Sequence, residues 1–542
     1  MLTAEALVKC LEKEKTEVVF GYPGVAICPV FDALRDSSVK TVLVRQEQSA
    51  AHIASGYARV TGKVGVAVVT SGPGATNLIT GIATAFADSI PLVCITGQVN
   101  SQLIGSDVFQ EADITGAAES FVKHSYLVRD EKELPRIMKE AFYIAGSGRK
   151  GPVLIDLPFD VQMRELQKFN YPETVSMRTY KPTVEGNAVQ IKKVIKEIDK
   201  ARRPVICAGG GVHLSDATDA IRKFARMNDI PVVSTMMGIG VMPTEDPLYF
   251  GMVGNNGRPY ANRALNEADL VMIVGARVAD RAVNRPEIIT DGKVLIHIDV
   301  DPAEIGKNAG PTIPLVGDIG HIFAQLNKMV PTKPHKDWVK TLQGYEKTMV
   351  EARYKTSKKY VNAGDFITTL SKKMKDDGIY VVDVGQNQMW SCRYYWVRDG
   401  RYLTSGGMGT MGYALPAAIG AKIAKPKTQV VAVCGDGGFQ MTMQELATMK
   451  QYDVPVKIVI LNNGVLGMVR EYQHHSYEDR YHGISLSGNP DFSYIAKAYG
   501  FAYDVVKKDA DVKEKVMKFL KDKNAGILEV MIDPDDLVTG ST

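Results

Sequence analysis

Short runs of apolar residues recur along the chain and are separated by longer stretches with helical periodicity. The runs are continuous rather than alternating, which is typical of parallel strands that are buried on both faces. Helices between such strands cover both faces of the sheet. The pattern therefore predicts an α/β fold of open parallel sheets, with strands at Val18–Phe20, Val64–Val69, Leu92–Ile95, Val153–Ile155, Val205–Cys207, Val232–Val233, Leu270–Val274, Leu295–Ile298, Tyr380–Val382, Val430–Val433 and Lys457–Leu461.

Two polar segments that carry proline or many lysines interrupt this rhythm, at 167–183 and at 327–340. Segments of this composition favour exposed linkers. They divide the chain into units of about 1–165, 182–330 and 355–542, each large enough to bury its own core. We therefore expect three consecutive domains.

One uncharged stretch, 64–87, is long enough to cross a membrane as a helix. Ser71-Gly72-Pro73-Gly74 lies at its centre, and such a turn breaks a spanning helix. We expect instead a buried strand that ends near Thr70 and a helix that begins near Ala75. No membrane association is predicted.

Charge and cysteine content exclude several further classes of function. The 542 residues carry a formal net charge of +4 without a block of like charges, so no nucleic-acid-binding surface is expected. The first residues, Met1–Glu5, do not resemble a secretory signal, and we expect a cytoplasmic protein. The six cysteines lack CxxC spacing, which argues against disulfides and a zinc site. Small molecules are the expected partners.

The strongest chemical signal lies in the last third of the chain. Gly435-Asp436-Gly437-Gly438 follows one predicted strand, and Leu461-Asn462-Asn463 follows the next. Asp436 and Asn463 therefore sit at the carboxyl ends of adjacent strands, where open α/β sheets bind ligands. Carboxylate and amide oxygens suit Mg²⁺, and glycine N–H groups at a helix start suit phosphate oxygens. Either half alone is an ordinary turn, but together they fit one site.

This pair resembles the thiamine-diphosphate motif, and the resemblance extends nearly end to end. The chain resembles the acetolactate synthase (acetohydroxyacid synthase) large subunit family in six further segments, namely 21–24, 45–48, 56–59, 70–77, 108–113 and 406–412. The resemblance implies an N-terminal domain that binds the thiamine pyrimidine, a central FAD-type domain and a C-terminal domain that binds the diphosphate and Mg²⁺.

The resemblance also implies roles for individual residues. Glu47 matches the glutamate that hydrogen-bonds N1′ of the aminopyrimidine and so promotes proton removal from the thiazolium. Met411 matches the apolar residue under the folded cofactor, and Gly409 offers a carbonyl to the 4′-amino group. Gln386 and Asn387 match diphosphate contacts, although the family commonly has His at the second position. Further implied cofactor contacts are Pro23, Asn77, Gly437, Gly438, Gly467 and Met468, and the implied Mg²⁺ ligands are Asp436, Asn463 and Val465.

A second cofactor is implied for the middle unit. Gly209, Gly210 and Gly211 follow a predicted strand, but the GxGxxG pattern of dinucleotide sites is not satisfied. By periodicity alone this is a degenerate Rossmann-like domain. The resemblance implies non-redox FAD, with the glycines and Arg277 near its diphosphate and with Asp299 and Asp318 near its adenosine. A vestigial, empty site is the alternative.

The implied substrate pocket combines matches and departures. Arg281 matches the arginine that receives the acceptor carboxylate, a contact that suits a bidentate guanidinium. Gln110 and Lys123 also match catalytic positions. The family usually has Gly, Met and Trp where this chain has Val25, Asn255 and Tyr472. The pocket is therefore expected to differ in shape and to be more polar.

The resulting hypothesis is a carboligase that decarboxylates pyruvate on thiamine diphosphate and transfers the hydroxyethyl unit to a second 2-keto acid. The product would be 2-acetolactate, for branched-chain amino acid biosynthesis. The resemblance implies a homodimer or tetramer with active sites shared between chains. It leaves open whether a small regulatory subunit also binds. The alternatives are a related enzyme with an altered acceptor, a pyruvate oxidase, or a catalytically silent cofactor-binding protein.

Overall fold

The computed structural model describes residues 1–329, 334–349 and 357–538. Within these residues the chain forms three six-stranded sheets, and every strand pair is parallel. Helices cover both faces of each sheet, so the predicted α/β class is confirmed. The expected domain boundaries at 330 and 355 lie outside the described residues, as do 539–542.

The first sheet has the strand order β2-β1-β3-β4-β6-β5. Its strands are β1 (Val18–Tyr22), β2 (Lys40–Leu43), β3 (Gly65–Val69), β4 (Leu92–Gln98), β5 (His124–Leu127) and β6 (Pro152–Pro158). Its helices are α1 (Thr3–Lys13), α2 (Cys28–Arg35), α3 (Glu47–Thr61), α4 (Pro73–Ala87), α5 (Ile114–Ala118), α6 (Leu134–Gly146) and α7 (Phe159–Met163).

The central sheet has the order β12-β11-β10-β7-β8-β9. Its strands are β7 (Pro204–Ala208), β8 (Val232–Ser234), β9 (Tyr249–Met252), β10 (Leu270–Val274), β11 (Val294–Asp299) and β12 (Ile313–Val316). Its helices are α8 (Ala188–Lys200), α9 (Gly210–Leu214), α10 (Thr218–Asn228), α11 (Pro259–Glu267), α12 (Glu287–Thr290), α13 (Ile319–Leu326) and α14 (Lys336–Thr348).

The helix α14 begins inside the segment 327–340, which we expected to be an exposed linker. Trp338, Val339 and Leu342 lie on one face of this helix and are buried in the core of the central sheet. Lys336 and Lys340 occupy exposed positions of the same helix, so an amphipathic helix accounts for this part of the segment.

The third sheet has the order β14-β13-β15-β16-β18-β17. Its strands are β13 (Ile379–Val382), β14 (Arg401–Leu403), β15 (Val430–Gly435), β16 (Lys457–Asn462), β17 (Ala502–Val506) and β18 (Gly526–Met531). Its helices are α15 (Ala363–Lys373), α16 (Gln386–Tyr394), α17 (Ala414–Ala424), α18 (Asp436–Gln440), α19 (Leu446–Gln451), α20 (Gly467–Tyr477), α21 (Phe492–Tyr499) and α22 (Asp509–Lys521).

The stretch 64–87 forms β3 and α4, joined by a turn in which Gly72 has φ +57°. The helix begins at Pro73, two residues before the expected start. Proline is well suited to a first helical position because its missing N–H is not needed there. No helix within the described ranges is both long enough and apolar enough to cross a membrane.

The first and third domains share one hydrophobic core, which is centred on the helices α3 and α17. Two glycines allow the helix backbones to approach closely. A Cβ atom on Gly56 would lie 1.9 Å from the carbonyl oxygen of Ala417, and one on Gly420 would lie 1.9 Å from that of Ile53. Because neither position can hold a larger residue, this contact fixes the two domains of one chain relative to each other.

Candidate active site

All three sheets reverse their direction of strand addition at one point, and the predicted binding residues lie at these points. The reversal falls between β1 and β3, between β10 and β7, and between β13 and β15. Chain segments leave the sheet in opposite directions there and open a crevice at the carboxyl ends of the strands. Asp436, which follows β15, and Gly209, which follows β7, are both at such a crevice.

Asp436 and the turn after β16 form one hydrogen-bonded corner. The carboxylate of Asp436 is almost fully buried, and it accepts hydrogen bonds from the backbone N–H of Gly464 at 3.1 Å and from Nδ2 of Asn489 at 2.6 Å. Burial raises the pKa of this carboxyl above its ordinary value. Oδ1 of Asn463 accepts from the backbone N–H of Val465 at 3.2 Å. A buried carboxylate beside an amide oxygen fits a hard cation such as Mg²⁺.

Gln386 joins this corner to the end of β13. Its Oε1 accepts a hydrogen bond from Nδ2 of Asn463 at 3.3 Å, and its Nε2 donates to Glu471 at 2.9 Å. A Cβ atom on Gly467 would lie 1.9 Å from Gln386 Oε1, so only glycine fits at the start of α20. Asn387 is also buried, and its Nδ2 donates to the carbonyl of Asp383 at 2.8 Å. Gln386 and Asn463 are therefore brought together as expected for a shared ligand.

The loop between β14 and α17 carries Gly409, whose carbonyl is expected to face the 4′-amino group, and Met411, which is expected beneath the folded cofactor. Gly409 has φ +69°, and no atom would lie within 4 Å of a Cβ placed there, so its open surroundings leave room for a ligand. Met411 packs beside the Asp436 turn, because its Cε would lie 3.0 Å from a Cβ on Gly437. The buried carboxylate of Asp383 accepts hydrogen bonds from the N–H groups of Gly412 and Ala414, at 2.8 and 3.0 Å.

Gly438 lies directly behind this turn. A Cβ atom on Gly438 would lie 3.0 Å from Oδ1 of Asp383, so the small residue lets α18 approach the end of β13. The helix α18 begins at Asp436, so its first N–H groups lie at this edge. The N–H groups and the corner of Asp436 and Asn463 together form a site with the donors and acceptors that a magnesium diphosphate requires.

Glu47 is the first residue of α3, at the carboxyl edge of the first sheet. Its Oε2 accepts a hydrogen bond from Nδ2 of Asn77 at 3.0 Å. Gln110 lies at the same edge, because a Cβ on Gly72 would be 2.9 Å from the Gln110 Cβ. Pro23 is exposed at the end of β1. The structure thus gathers Glu47, Asn77 and Gln110 at one edge of the first sheet.

No described hydrogen bond or ring contact joins Glu47 to Gly409 or Met411 of its own chain. At the other end of α3, Nη1 of Arg59 donates to the carbonyl of Thr404, in the loop that leads to these two residues, at 2.6 Å. At about 1.5 Å per residue, Glu47 and Arg59 are about 18 Å apart along the helix axis. Within the described residues, the two halves of the expected site are therefore not in direct contact in one chain.

Lys123 does not join these residues. Its Nζ donates to the carbonyl of Ser147 and to the hydroxyl of Tyr180, at 2.8 and 2.7 Å, and also to the carbonyl of Ile144. Burial lowers the pKa of Lys123 to about 7. Its described partners all belong to the segment 144–180, and none is a predicted catalytic residue.

A cavity of about 480 Å³ extends from the central sheet to the third domain. Gly210, Gly211, Arg277, Asp299 and Asp318 line its central-domain wall, as expected for a dinucleotide. Gly209 lies behind this wall, where a Cβ would be 2.3 Å from the carbonyl oxygen of Gly275, so its role is close packing of two loops. Burial raises the pKa of Asp299 to about 6.

The donor set of this cavity fits FAD. Arg277, Arg149 and Lys150 supply positive charge, and α9 begins at the same wall with Gly210. The far end of the cavity reaches Gly409 and Met468, which are on the third domain. A dinucleotide bound in this cavity would therefore have one end beside Gly409, in the expected thiamine diphosphate site.

Of the expected acceptor-pocket residues, Arg281 lines this cavity, with its guanidinium largely exposed and 3.6 Å from Asp280. Val25, Asn255 and Tyr472 are not part of the lining. Met468 lies on the opposite wall, and Tyr472 follows it by one helical turn with 62% of its surface exposed. Asn255 and Val25 are exposed as well. No hydrogen bond or ring contact joins Arg281 to Tyr472 within the described part of the chain.

Three family models match consecutive parts of the chain. They describe a thiamine pyrophosphate enzyme, with the N-terminal TPP binding domain at 1–117, the central domain at 191–326 and the C-terminal TPP binding domain at 383–530. The three ranges follow the order of the three sheets, although the first ends before β5 and β6 and the third begins just after β13. The chain is therefore a thiamine-pyrophosphate-dependent enzyme.

Relatives narrow this class to one family. The chain is 42% identical to the probable acetolactate synthase large subunit of Methanocaldococcus jannaschii, over 98% of this chain and 92% of that protein. It is 40% identical to the acetolactate synthase large subunit of Lactococcus lactis, over 99% and 93%. It is 43% identical to that of Corynebacterium glutamicum, over 96% and 84%. The chain belongs to the acetolactate synthase large subunit family.

Two contacts of the site escaped sequence reasoning. Asn489 holds the carboxylate of Asp436, but it lies in a loop with no motif around it. Asp383 orients the start of α17, and here a signal exists, because it follows the buried strand β13 just as Asp436 follows β15. A polar residue directly after a buried strand is therefore as informative about the site as the glycine motif.

Proposed function

We propose that the chain is the catalytic subunit of an acetolactate synthase. It would decarboxylate pyruvate and transfer the two-carbon unit to a second 2-keto acid, giving 2-acetolactate for branched-chain amino acid biosynthesis. The observation that carries this proposal is the corner formed by Asp436, Asn463 and Gln386 at a strand-order reversal, in a chain about 40% identical to acetolactate synthase large subunits.

We infer that the corner binds a magnesium diphosphate. Asp436, Asn463 and Val465 would hold Mg²⁺, and Gly437, Gly438 and Gly467 would leave room for phosphate oxygens. Buried side chains with fixed partners support this assignment, since a preformed site loses little conformational entropy when its ligand binds. Gln386 would orient Asn463, and Asn387 would line the same edge.

Thiamine diphosphate, when bound, supplies the nucleophile that cleaves the keto acid and carries the two-carbon unit. Glu47 would hold a proton at N1′ of the aminopyrimidine, and Asn77 would keep the Glu47 carboxylate in place. The carbonyl of Gly409 would accept a hydrogen bond from the 4′-amino group, and Met411 would support the ring. Gln110 and Pro23 would border the same site from the first domain.

We further propose that two chains share each active site. The resemblance implies this arrangement, and no described hydrogen bond joins Glu47 to Gly409 or Met411 of its own chain, although these residues are expected around one pyrimidine ring. Exposed apolar residues support it too: Val25 is 77% and Phe109 86% exposed near Glu47, and Met408 is 43% exposed near Gly409. Apolar groups clustered at both edges favour burial against another chain. The expected assembly is a homodimer or a dimer of dimers.

The cavity between the central and third domains supports FAD as a second cofactor. We propose that Arg277 and the N–H group of Gly210 hold its diphosphate, that Gly211 lies beside it, and that Asp299 and Asp318 lie near its adenosine. In the family that the chain resembles, FAD performs no net redox step. Its proposed role is therefore to complete the wall between the central domain and the loop that carries Gly409 and Met411.

Arg281 would bind the carboxylate of the acceptor keto acid at the mouth of this cavity. Tyr472 and Asn255 would border the acceptor side chain and make this pocket more polar than one with Trp and Met. Lys123 keeps only the support of the resemblance, since its contacts are elsewhere. A small regulatory subunit is part of the proposal because the relatives are named large subunits. The cytoplasmic location stays a prediction.

Product identification tests the proposed function. The purified protein with thiamine diphosphate, Mg²⁺ and FAD is given pyruvate alone, or pyruvate with 2-ketobutyrate, with oxygen excluded. We expect 2-acetolactate in the first case and a mixture with the ethyl homologue in the second. Glu47→Gln protein is the matched control. The reactions are then repeated in air, where oxygen-dependent acetate formation without any acetolactate would favour a pyruvate oxidase instead.

A further inference from the structure

Two buried charged residues of the first domain hold the loop 404–411 of the third domain. Arg59, in the last turn of α3, pairs with Asp88, which follows α4, at 2.6 Å between Nη2 and Oδ2. Their side chains are only 4% and 1% exposed. Neither residue is among the groups that bind substrate or cofactor in the proposal above. A buried ion pair that performs no chemistry requires another explanation.

The pair is fully engaged with the loop. The Asp88 carboxylate accepts hydrogen bonds from the N–H groups of Gly406 at 3.2 Å and Gly407 at 2.7 Å. Arg59 donates from Nη1 to the carbonyl of Thr404 at 2.6 Å. Together the two side chains therefore fix three backbone groups within four successive residues of the loop.

Two further contacts hold the same loop. The hydroxyls of Thr84 and Thr410 are 2.6 Å apart, which places a hydrogen bond directly beside Gly409. A Cβ atom on Gly407 would lie 2.7 Å from the carbonyl oxygen of Ala87, so the loop is seated against the end of α4 with no space for a side chain. All these contacts come from the first domain of the same chain.

We propose that Arg59, Asp88 and Thr84 are positioning residues for the thiamine pyrimidine, acting through the loop 404–411. They hold the carbonyl of Gly409 and the side chain of Met411 in place before the cofactor arrives. Gln388 of the third domain also donates to Thr404 and to the carbonyl of Ser405, at the start of the loop. Beyond that point Gly406, Gly407 and Gly409 give the backbone great freedom when it is not held. This inference rests on the proposed thiamine diphosphate site.

The proposal predicts a selective effect on the two ends of the cofactor. The diphosphate would bind to Asp436 and Asn463, which Asp88 does not contact, whereas the pyrimidine would bind against the loop. Loosening the loop should therefore weaken the binding of thiamine diphosphate but not of inorganic diphosphate, which has no pyrimidine. A general loss of folding would weaken both.

The test measures both affinities by calorimetry on cofactor-free protein with Mg²⁺. Asp88→Asn and Thr84→Val are compared with two controls in the first domain. Asp160→Asn removes a carboxylate that binds Arg164 and the N–H of Ser101, and Thr3→Val removes a buried hydroxyl that donates to the carbonyl of Arg164. Hydrogen exchange of the backbone amides in 404–411 provides a readout that does not involve activity.

For Asp88→Asn we expect thiamine diphosphate affinity to fall about tenfold or more, since hydrogen bonds to a buried charge are lost. Thr84→Val should lose about threefold. Inorganic diphosphate should bind all variants as it binds wild type, and amides in 404–411 should exchange faster in Asp88→Asn. The two controls should resemble wild type in every measurement.

Unchanged affinity and exchange in both variants would overturn the inference, as would equal weakening of both ligands. If Asp88→Asn does not fold, Thr84→Val decides by the same criteria, because it removes one hydroxyl and leaves the ion pair intact. A wild-type protein that binds no thiamine diphosphate would contradict the proposed function as well. Normal wild-type binding with unaltered variants would contradict this inference alone.

Discussion

The Glu47 carboxylate and the Asn77 amide are joined by a hydrogen bond of 3.0 Å across the carboxyl edge of the first sheet. Glu47 begins α3, whereas Asn77 lies in the first turns of α4, so the bond ties two helix starts together. Among the described residues, no first-domain side chain donates to the other carboxylate oxygen of Glu47. The geometry suits a carboxylate that must face a ligand from a fixed position.

The substitution Glu47→Gln should remove most turnover and leave cofactor binding nearly intact. Glutamine keeps the shape and the contact with Asn77 but cannot hold and release a proton at N1′. The diphosphate corner is on another domain and is unaffected. Initial rates of acetolactate formation and calorimetric titration with thiamine diphosphate measure the two effects separately. Near-normal turnover would show that the proton relay lies elsewhere.

The substitution Asp436→Ala should have the opposite pattern and lose the cofactor. It removes a buried carboxylate that accepts from Gly464 and Asn489, and it would also remove a Mg²⁺ ligand. Titration with thiamine diphosphate and Mg²⁺ should show little binding, while circular dichroism stays close to wild type. Asn463→Ala is a second variant for the same site. Wild-type affinity in both would exclude this corner as the metal site.

Mixing these two inactive variants should restore activity if active sites are shared between chains. In a mixed dimer of Glu47→Gln and Asp436→Ala chains, one site carries both changes and the other carries neither. Random exchange of chains should therefore give about a quarter of wild-type activity. Sedimentation measures the assembly, and either variant alone is the control. A fully active monomer, or no recovery in verified mixed dimers, would refute sharing.

The substitution Tyr472→Trp should raise the preference for 2-ketobutyrate over pyruvate as acceptor. Tryptophan offers more apolar area to the extra methylene, which is worth roughly 1–3 kcal/mol in a hydrophobic pocket. We expect a severalfold change in the product ratio when both acceptors compete at equal concentration. Tyr477→Trp, at the end of the same helix, is a control for added bulk. An unchanged ratio would place Tyr472 outside the pocket.

The protein should become less stable as the pH rises from about 4 to about 7 through the titration of Asp156. Burial raises the pKa of this carboxyl from 3.8 to about 7, so the folded state holds the proton more tightly than the unfolded state does. Stability gained from the bound proton is present below pH 4 and is lost as the pH passes 7. Oδ1 and Oδ2 accept from Thr96 and Gln98, and Asn can retain one of these bonds.

Denaturant unfolding between pH 4 and pH 8 checks this prediction. The contribution of Asp156 should be on the order of a few kcal/mol, and Asp156→Asn should flatten the dependence. Asp160→Asn, which changes a half-exposed carboxylate in the same domain, is the control. An identical slope in wild type and Asp156→Asn would show that Asp156 does not carry the effect.

The strands that the apolar pattern missed show what local sequence lacks. Five of them, β5, β9, β12, β14 and β17, are edge strands, and β18 is an inner strand that carries Glu529. Edge strands have neighbours on one side only, so they need no continuous apolar run. Glu529 is tolerated inside because it accepts hydrogen bonds from Asn462 and Tyr503. Both cases depend on neighbours that are distant in sequence.

The sequence by itself determined the α/β class, the order of the three sheets and the position of each motif at a strand end. These properties are local, because a buried strand followed by a glycine turn has the same sequence pattern whatever the rest of the chain does. Only the tertiary structure decided which edges meet. Asp88 holds Gly407 across more than 300 positions, and the ring of His52 packs beside that of Tyr413. Such contacts follow from close packing of whole helices around Gly56 and Gly420, which no short segment encodes.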